Sequence, residues 1–356
     1  MTIKKILISE AQEGMMVATD TFDEMGRLII PKDTKLDKDM IQKLESHSVF
    51  IIKILEGYVE NVEQEIEGYY EKIGATKEFE NFEKVFNQSV LKLRNEFNDI
   101  VNEPDKIDEQ ELLNGIQDII NANVNNNNML DMLNCMRGYD DLTYVHCISV
   151  ALICNVMAEW SGCSKAEKDE ITIAGLLHDI GKLKIPKQII VKPGKLTDAE
   201  YKVIKFHPRL GYEILKQSKV SDRIKKAALM HHERYDGKGY PNSLGGEDID
   251  DVARMVAIAD VYDAMTANRV YREGLCPFEV IDYLQRQMVA FDPKHLFPFL
   301  EHTAQMYVSN KVKLSDGRVG KVAMINKFEI GSPVVIVDNK AIDLSKEKDL
   351  RVVKLM

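Results

Sequence analysis

Histidines and aspartates concentrate in the middle of the chain, in segments with the apolar spacing of helices. Five of the eight histidines fall between residues 146 and 232, and three of them lie next to another possible ligand, in the pairs His178-Asp179 and His231-His232. Imidazoles and carboxylates from separate helices build the dinuclear metal sites of helical bundles, and a mixed nitrogen and oxygen set suits iron or manganese better than calcium. The pattern predicts a metal centre. The alternative is a set of unrelated histidines at helix ends.

Neighbouring residues make the paired positions stronger candidates than the isolated ones. His178 and Asp179 end an apolar segment, where an unpaired buried polar group would cost about 1–3 kcal/mol. Asp260 interrupts the apolar segment VARMVAIADVYDAM, and a buried carboxylate is rare unless it is paired or bound to metal. For His207, which stands alone, a packing role is about equally compatible with the sequence. Three isolated histidines are assigned to surface or packing positions: His47, His295 and His302.

The segments that carry these residues have the start signals of helices. Ser164 and Glu167 form an S-x-x-E capping box ahead of the apolar run EITIAGLL, and Thr197 and Glu200 form a second box ahead of YKVIKFHP. The segments YDDLTYVHCISVALICNVM and SDRIKKAALMHHE have apolar residues at helical spacing. Residues 129 to about 306 are therefore predicted to be helix after helix.

The chain divides into segments of different composition. Residues 1–56 mix short strand-like pieces with one helix and predict a small α/β unit of unknown function. Residues 57–125 are charged with helical spacing and predict a helical spacer, which the asparagine-rich run at 121–128 ends either as a linker or as a connection between helices. Residues 307–356 alternate as strands do and predict a β tail that could pack on the N-terminal unit. The expected fold class is mainly α, with a helical catalytic domain at 126–306.

Composition and charge exclude several functional classes. The chain has 356 residues and a formal net charge of −10 at pH 7, which argues against general binding of long nucleic acids or anionic membranes. No apolar stretch approaches the roughly 18 uninterrupted residues of a membrane span, and the N-terminal MTIKKILISEAQEG has too short an apolar run for a signal peptide. A cytoplasmic location is expected. The five cysteines include no C-x-x-C pair and fit reduced core thiols.

Taken in order, these motifs resemble the HD-GYP subgroup of the HD-domain metal-dependent phosphohydrolases. The resemblance covers residues 125–306, about half of the chain. The N-terminal EGMMVATDTFDEMGRLIIPKDTKL and the β tail are similar, less specifically, to segments that accompany this domain in diguanylate-signalling proteins. The motifs that carry the resemblance are HCISVA at 146–151, LLHDIGKLKIP at 176–186, KPGKLTDAE at 192–200, HP at 207–208, HHERYDGKGYP at 231–241 and IADVYDAMTANRVYR at 258–272.

The resemblance implies an enzyme that hydrolyses the bacterial second messenger cyclic di-GMP to linear pGpG, and in many members onward to GMP. It implies two divalent metal ions, for which the donor set favours iron or manganese, and a water that becomes hydroxide between them and attacks phosphorus in line. By resemblance, one metal is held by His146, His178, Asp179 and Asp260, and the second by His207, His231 and His232, with Asp179 bridging.

Other residues of the motifs could act on the substrate. Lys182, one helical turn beyond His178, would point a cation at the scissile phosphate and either neutralise developing charge or protonate the leaving oxygen. Asp263 could orient that lysine. Arg269 and Arg272, spaced i to i+3, could contact phosphate or the guanine edge, with solvated surface charge as the alternative.

The segment DGKGYP and a lysine-rich loop complete the predicted substrate site. Gly237 and Gly239 permit backbone turns that side chains forbid, and Tyr240 offers an aromatic face for stacking on guanine. The loop KLKIPKQIIVKPGK has five lysines between residues 182 and 195, which would attract an anionic substrate despite the acidic total.

One position departs from the family pattern. Some members have a glutamate four residues before the first histidine, where it helps to hold a third metal, whereas this chain has Leu142 there. Asp140 and Asp141 lie six and five residues before His146, and a regular helix would turn them away from the ligand face by about 120° or more. Two metals are therefore expected.

Two other functional classes stay open. The first is an HD-type hydrolase for another cyclic dinucleotide or a nucleotide, although HHERYDGKGYP favours cyclic di-GMP because generic HD enzymes lack that segment. The second is a catalytically silent module that binds cyclic di-GMP or a partner, which the presence of all seven proposed ligands and Lys182 disfavours. A homodimer or a signalling-protein partner is compatible with the sequence.

Overall fold

The structure is a computed structural model. The chain forms two compact units, residues 1–66 and 67–356. The structure describes the following residues: 2–8, 11–22, 28–46, 49, 51–56, 68–123, 129–136, 142–192, 194–267 and 274–356.

The N-terminal unit is a small α/β unit. Strands β1 and β4 pair antiparallel along their whole length, β2 pairs antiparallel with β3, and Val17 forms an isolated bridge with Ile54. Val17, Leu36 and Leu44 are buried in its own hydrophobic core. Its elements are β1 Thr2–Leu7, β2 Thr21–Phe22, β3 Leu28–Ile30, α1 Lys38–Ser46 and β4 Ile51–Glu56.

The second unit is mainly helical, as predicted. Its helices are α2 Tyr69–Gly74, α3 Lys77–Asn102, α4 Glu109–Ala122, α5 Met129–Cys135, α6 Leu142–Trp160, α7 Lys165–Leu177, α8 Lys187–Ile190, α9 Asp198–Ile204, α10 His207–Leu215, α11 Asp222–Met230, α12 Asp251–Thr266, α13 Pro277–Arg286 and α14 Pro293–Gln305. The most apolar of them, α6, packs against α7 and α12.

Helix α6 lies in the interior of this unit, and little of its surface is polar. Within the described residues it is the one helix with the length and hydropathy of a membrane span, over Thr143–Trp160, and 61% of that window is buried inside the protein. A helix that is apolar all round belongs either in a membrane or in the interior of a bundle. The packing against α7 and α12 accounts for its composition.

Both predicted capping boxes are confirmed. The Ser164 hydroxyl accepts a hydrogen bond from the Glu167 amide at 3.3 Å, and the Glu167 carboxylate accepts one from the Ser164 amide at 2.9 Å. Thr197 and Glu200 form the same reciprocal pair at 3.3 and 2.7 Å. The boxes satisfy the unpaired amides at the starts of α7 and α9. The first helix leads to His178 and the second to His207.

Helices α3 and α4 belong to the helical unit and do not form a separate spacer. Phe82, Phe86 and Phe97 on α3 are fully buried in the same hydrophobic core as α6. The Phe97 ring packs edge-on against Tyr144 of α6, with ring centres 5.7 Å apart. The helical spacing was therefore predicted correctly, but the apolar stripe of α3 faces the site-bearing helices.

A buried carboxylate joins three parts of the helical unit. Asp131 on α5 accepts hydrogen bonds from the hydroxyls of Tyr69 at 2.7 Å and Tyr307 at 2.9 Å. Because both carboxylate oxygens are hydrogen-bonded, Asp131 is accommodated without a metal. The contact ties the short helix α2 and the chain after α14 to α5.

The C-terminal tail is an antiparallel sheet that packs on α13. Gln285 donates a hydrogen bond to the Phe328 carbonyl at 2.6 Å, and a Cβ on Gly331 would lie 2.7 Å from the Asp282 Cα, so only glycine permits this approach. These contacts join the tail to the helical unit. The strands are β5 Lys311–Leu314, β6 Val319–Met324, β7 Val334–Val337, β8 Lys340–Asp343 and β9 Val352–Leu355, in the order β8-β7-β6-β5-β9.

We expect Phe86→Ala to destabilise the whole helical unit by about 3–5 kcal/mol, because it empties a fully buried ring position in the shared core. Leu91→Ala is the matched control, since Leu91 lies on the same helix with 64% of its surface exposed, and should change stability by about 0.5 kcal/mol or less. Denaturant unfolding monitored by Trp160 fluorescence measures both. If Phe86→Ala left the unfolding transition reported by Trp160 fluorescence unchanged, α3 would be an independent spacer.

Candidate metal centre

Seven possible ligands from five helices meet at one place in the helical unit. Their ligand atoms form two groups, within each of which all atoms lie within 4.8 Å of one another. The groups are Asp179, His207, His231 and His232, and His146, His178 and Asp260. These are the residues that the sequence predicted as ligands.

Helix ends position most of these side chains. His178 caps the C-terminal end of α7 and Asp179 follows it, His231 caps α11, and His207 is the first residue of α10. His146 and Asp260 lie within α6 and α12, which cross the same region. A helix end places a side chain beyond the packed flank of its helix, so several helices can contribute to one centre.

Asp179 lies between the two groups and is almost completely buried. Its Oδ1 is 3.1 Å from His207 Nε2 and 3.7 Å from His231 Nε2. Its Oδ2 is 3.4 Å from His178 Nε2 and 3.5 Å from His146 Nε2. Each carboxylate oxygen therefore faces one group of imidazoles, which is the arrangement that a bridging ligand requires.

Three of the imidazoles are held so that Nε2 points into the centre. The Nδ1 atom of His178 lies 2.7 Å from the Gly175 carbonyl oxygen, and that of His207 lies 2.7 Å from the carbonyl oxygen of Ile204. The Nδ1 atom of His231 lies 3.0 Å from the Ala228 carbonyl oxygen. A carbonyl can only accept, so Nδ1 carries the proton and the Nε2 lone pair is available to a metal.

Asp263 orients His146. The sequence analysis had expected it to orient Lys182 instead. Its Oδ2 lies 2.7 Å from His146 Nδ1, while His146 Nε2 lies 3.1 Å from Asp260 Oδ1. Asp263 is one helical turn beyond Asp260 on α12, so one helix supplies both a possible ligand and the carboxylate that positions a second one. A carboxylate behind a ligating histidine fixes its tautomer and raises its basicity.

The donor set fits bound cations. His178 Nε2 and Asp179 Oδ1 are buried and lack a hydrogen-bond partner among the described residues, and buried polar atoms are rarely left in that state. Imidazole nitrogens with carboxylate oxygens match iron, manganese or zinc better than calcium or magnesium. These residues can therefore hold divalent metal.

The protonation states of His207, His231 and Asp179 also suit a metal. Burial lowers the pKa of His207 and of His231 below the usual histidine value, which keeps these imidazoles neutral. Burial would raise the pKa of Asp179, but the Lys182 ammonium and His178 hold it well below its usual range. Asp179 is therefore a carboxylate, the form that binds cations.

Lys182 reaches the centre from the turn after α7. Its ammonium forms an ion pair with Asp179 Oδ2. Burial lowers the pKa of Lys182, but the charges of Asp179 and Asp260 outweigh it and the pKa is raised above the usual lysine value. Lys182 is therefore a cation at neutral pH, beside the carboxylate that lies between the two groups.

Gly181 allows this turn to pack against α10. A Cβ on Gly181 would lie 2.0 Å from the His207 carbonyl oxygen and 2.5 Å from the Gly211 amide nitrogen. Any larger residue would push apart the two segments that carry Asp179 and His207. The glycine of HDIGK thus has a packing role that the sequence analysis did not identify.

The DGKGYP loop is fastened next to His232. The buried Glu233 carboxylate accepts hydrogen bonds from the amides of Asn242 at 2.7 Å and Leu244 at 3.0 Å. A Cβ on Gly239 would lie 2.4 Å from the Glu233 Cα, so glycine is required there for close backbone packing. The sequence analysis missed Glu233, although its position directly after two predicted ligands could have indicated a role at the site.

Tyr240 and two arginines were predicted to bind substrate. The partly exposed Tyr240 ring lies 4.7 Å from the ring centre of His232, at the edge of the centre. Arg269 and Arg272 lie outside the described residues, as do Asp140 and Asp141.

A third group of possible ligands is an ion-pair network. Asp251, Asp292 and His295 lie together near the starts of α12 and α14. The Arg254 guanidinium lies 2.8 Å from Asp292 and 3.1 Å from Asp251, and His295 Nε2 lies 2.8 Å from Asp251. These partners neutralise the carboxylates and join the two helices, in keeping with the packing role expected for His295.

Fold and site together define a helical domain in which an adjacent His-Asp pair lies between two sets of ligands. Residues 120–295 match the sequence profile of the HD domain family. These residues therefore carry an HD domain, which confirms the resemblance of the motifs.

Curated relatives share this part of the chain. A cyclic di-GMP phosphodiesterase of Pseudomonas aeruginosa is 39% identical over 51% of this chain and 44% of its own length. The cyclic di-GMP phosphodiesterase response regulator RpfG of Xanthomonas campestris is 43% identical over 43% of this chain and 42% of its own. The 3'3'-cGAMP-specific phosphodiesterase 2 of Vibrio cholerae is 37% identical over 52% of this chain and 36% of its own. The chain spans less than half the length of these relatives.

We expect Asp263→Asn to weaken metal binding about 10–100-fold while the fold is retained, because it removes the carboxylate that positions His146. Chelator competition with Mn²⁺ measures the affinity, and circular dichroism checks the fold. Asp349→Asn is the control, since Asp349 is exposed in the tail. If Asp263 acted through Lys182, metal affinity would equal that of the control and turnover alone would fall.

Proposed function

We propose that this chain hydrolyses a cyclic dinucleotide, cyclic di-GMP in the first place, to linear pGpG and onward to GMP. The observation that carries the proposal is the position of Asp179, whose two oxygens face two separate groups of imidazoles with the Lys182 ammonium beside them. A two-metal phosphodiester hydrolase uses cations to stabilise the attacking and leaving oxygens, and a proton donor assists the leaving oxygen.

The proposed ligands divide between two divalent ions, iron or manganese. His146, His178 and Asp260 would hold one, and His207, His231 and His232 the other, with Asp179 shared by both. When bound, such a pair of ions lowers the pKa of water and stabilises the phosphate oxygens. Asp263 and the backbone carbonyls behind the imidazoles keep the ligands in place for this chemistry.

Lys182 is the proposed catalytic cation. Water adds to phosphorus and the bond from phosphorus to the ribose 3'-oxygen breaks, leaving a 5'-phosphate and a 3'-hydroxyl. The Lys182 ammonium, already beside Asp179, would neutralise charge that develops on the phosphate or give its proton to the departing 3'-oxygen.

The rest of the substrate would contact the residues that surround the centre. Gly239 brings the loop backbone close to His232, and Tyr240 presents its ring at the edge of the site. Arg269 and Arg272 are proposed to contact phosphate or the guanine edge, because guanidinium groups form paired hydrogen bonds with such acceptors.

A second substrate, 3'3'-cGAMP, is favoured by one observation. The chain is 37% identical to a Vibrio cholerae phosphodiesterase named as specific for that molecule. Both cyclic dinucleotides have the same two phosphodiesters and differ in one purine, so the metal centre would treat them alike. Contacts to the purine would decide between them.

We expect the purified chain, supplied with Mn²⁺ or anaerobically with Fe²⁺, to turn over cyclic di-GMP faster than 3'3'-cGAMP and mononucleotides. Asp179→Ala should lower turnover below about a tenth of wild type and reduce metal content, because it removes the ligand between the two groups. Asp349→Ala, at an exposed position, is the control. Chromatography of the products and elemental analysis give the result, and an Asp179→Ala variant with wild-type turnover would contradict the bridging role.

We expect two metals per chain, because Leu142 occupies the position one helical turn before His146 where some family members have a third-metal glutamate. Leucine has no lone pair to offer a cation. Elemental analysis should approach two ions per chain for wild type and exceed two for Leu142→Glu. Three tightly held ions in wild type, with none added by Leu142→Glu, would mean that another carboxylate supplies the third site.

A further inference from the structure

Lys205 is held between two aromatic rings at the edge of the metal centre. Its ammonium lies 4.8 Å from the ring centre of Tyr201 and 4.8 Å from that of Tyr240. A lysine side chain loses rotational freedom when it is fixed, and the two cation–π contacts offset this loss. The side chain therefore has a preferred position, which is unusual for a partly exposed lysine.

The position of Lys205 is just outside the predicted ligands. The Tyr240 ring that contacts its ammonium also lies 4.7 Å from the ring of His232, and Lys205 precedes His207 by two residues. One aromatic ring thus separates the Lys205 ammonium from a ligand of the second group. Lys182, by contrast, is paired with Asp179.

The charge of Lys205 is not compensated by an acid. Within the described residues no carboxylate forms an ion pair with it, whereas Glu200, one of the two acids on α9, forms an ion pair with Lys192 at 2.6 Å. Residues 182–209 contain eight lysines and arginines but two acids, in a chain of net charge −10. Aromatic faces attract an ammonium without neutralising its charge. An anionic group of a ligand would supply the missing partner.

We propose that Lys205, positioned by Tyr201 and Tyr240, binds the second, non-scissile phosphate of the cyclic dinucleotide. This inference rests on the proposed function. A cyclic dinucleotide has two phosphodiesters, each with one negative charge, joined through a ribose on either side. When one phosphate is at the metal centre beside Lys182, the other must lie a short distance away, and among the described residues Lys205 is an uncompensated cation in that region. Lys205 would thereby select substrates with two phosphates.

The test compares two lysines of the same segment with two substrates. Lys205→Gln should raise KM for cyclic di-GMP about tenfold with little change in kcat, because a hydrogen bond to a charged group is lost. Lys202→Gln removes the same charge from an exposed position of α9 and should change KM less than about twofold. With bis(p-nitrophenyl) phosphate, which has a single phosphate, Lys205→Gln should match wild type.

The rings provide a second, independent comparison. Tyr201→Phe keeps the aromatic face and should behave as wild type, whereas Tyr201→Leu releases the ammonium and should raise KM for cyclic di-GMP by about twofold to fivefold. A merely structural role of Tyr201 would instead lower kcat or thermal stability along with KM.

Two results would overturn the inference. One is a KM for Lys205→Gln equal to that for Lys202→Gln, and the other is an equal loss with bis(p-nitrophenyl) phosphate, which has no second phosphate. Failure of the proposed function gives a different result, since wild type itself would then hydrolyse bis(p-nitrophenyl) phosphate but no cyclic dinucleotide. In that case the proposed role of Lys205 would be wrong as well, because the substrate would have no second phosphate.

Discussion

The buried charge of Asp179 is the constraint on which the centre depends. An isolated carboxylate in a protein interior is very costly, and it persists only with hydrogen bonds, counter-charges or metal. Two of the buried aspartates of the helical unit, Asp131 and Asp179, meet this requirement differently. Both oxygens of Asp131 accept hydrogen bonds from tyrosine hydroxyls, whereas Asp179 is surrounded by imidazoles and one ammonium. The environment of Asp131 joins parts of the core, whereas that of Asp179 can bind cations.

Close backbone packing at two glycines keeps the residues around Asp179 in position. Gly181 lets the turn after α7 touch the backbone at His207, and Gly239 lets the DGKGYP loop touch the backbone at Glu233. In both places the glycine lies near a proposed ligand. Close backbone contact fixes distances more firmly than flexible side chains do, which is what a centre with several ligands requires.

The sequence identified the residues that meet at the centre because their chemical signals are local. An imidazole or carboxylate within an apolar helix is conspicuous in a single segment, and the capping boxes that begin α7 and α9 are equally local signals. The pairing of Asp263 with His146 was not predicted, since it joins α12 to α6 and depends on how the two helices cross. The same holds for α3, whose helical spacing was visible but whose burial against α6 was not, and for Lys205, whose rings come from two segments.

The composition of α6 has a consequence for how the chain folds. This helix is apolar enough to pass for a membrane span, and α12, one of the helices that cover it, lies far downstream in the chain. During synthesis α6 therefore emerges well before α12, and contacts between distant segments form late. Until then its apolar surface is exposed to other chains and to chaperones. The helix that gives the finished protein its core is thus the most vulnerable segment of the nascent one.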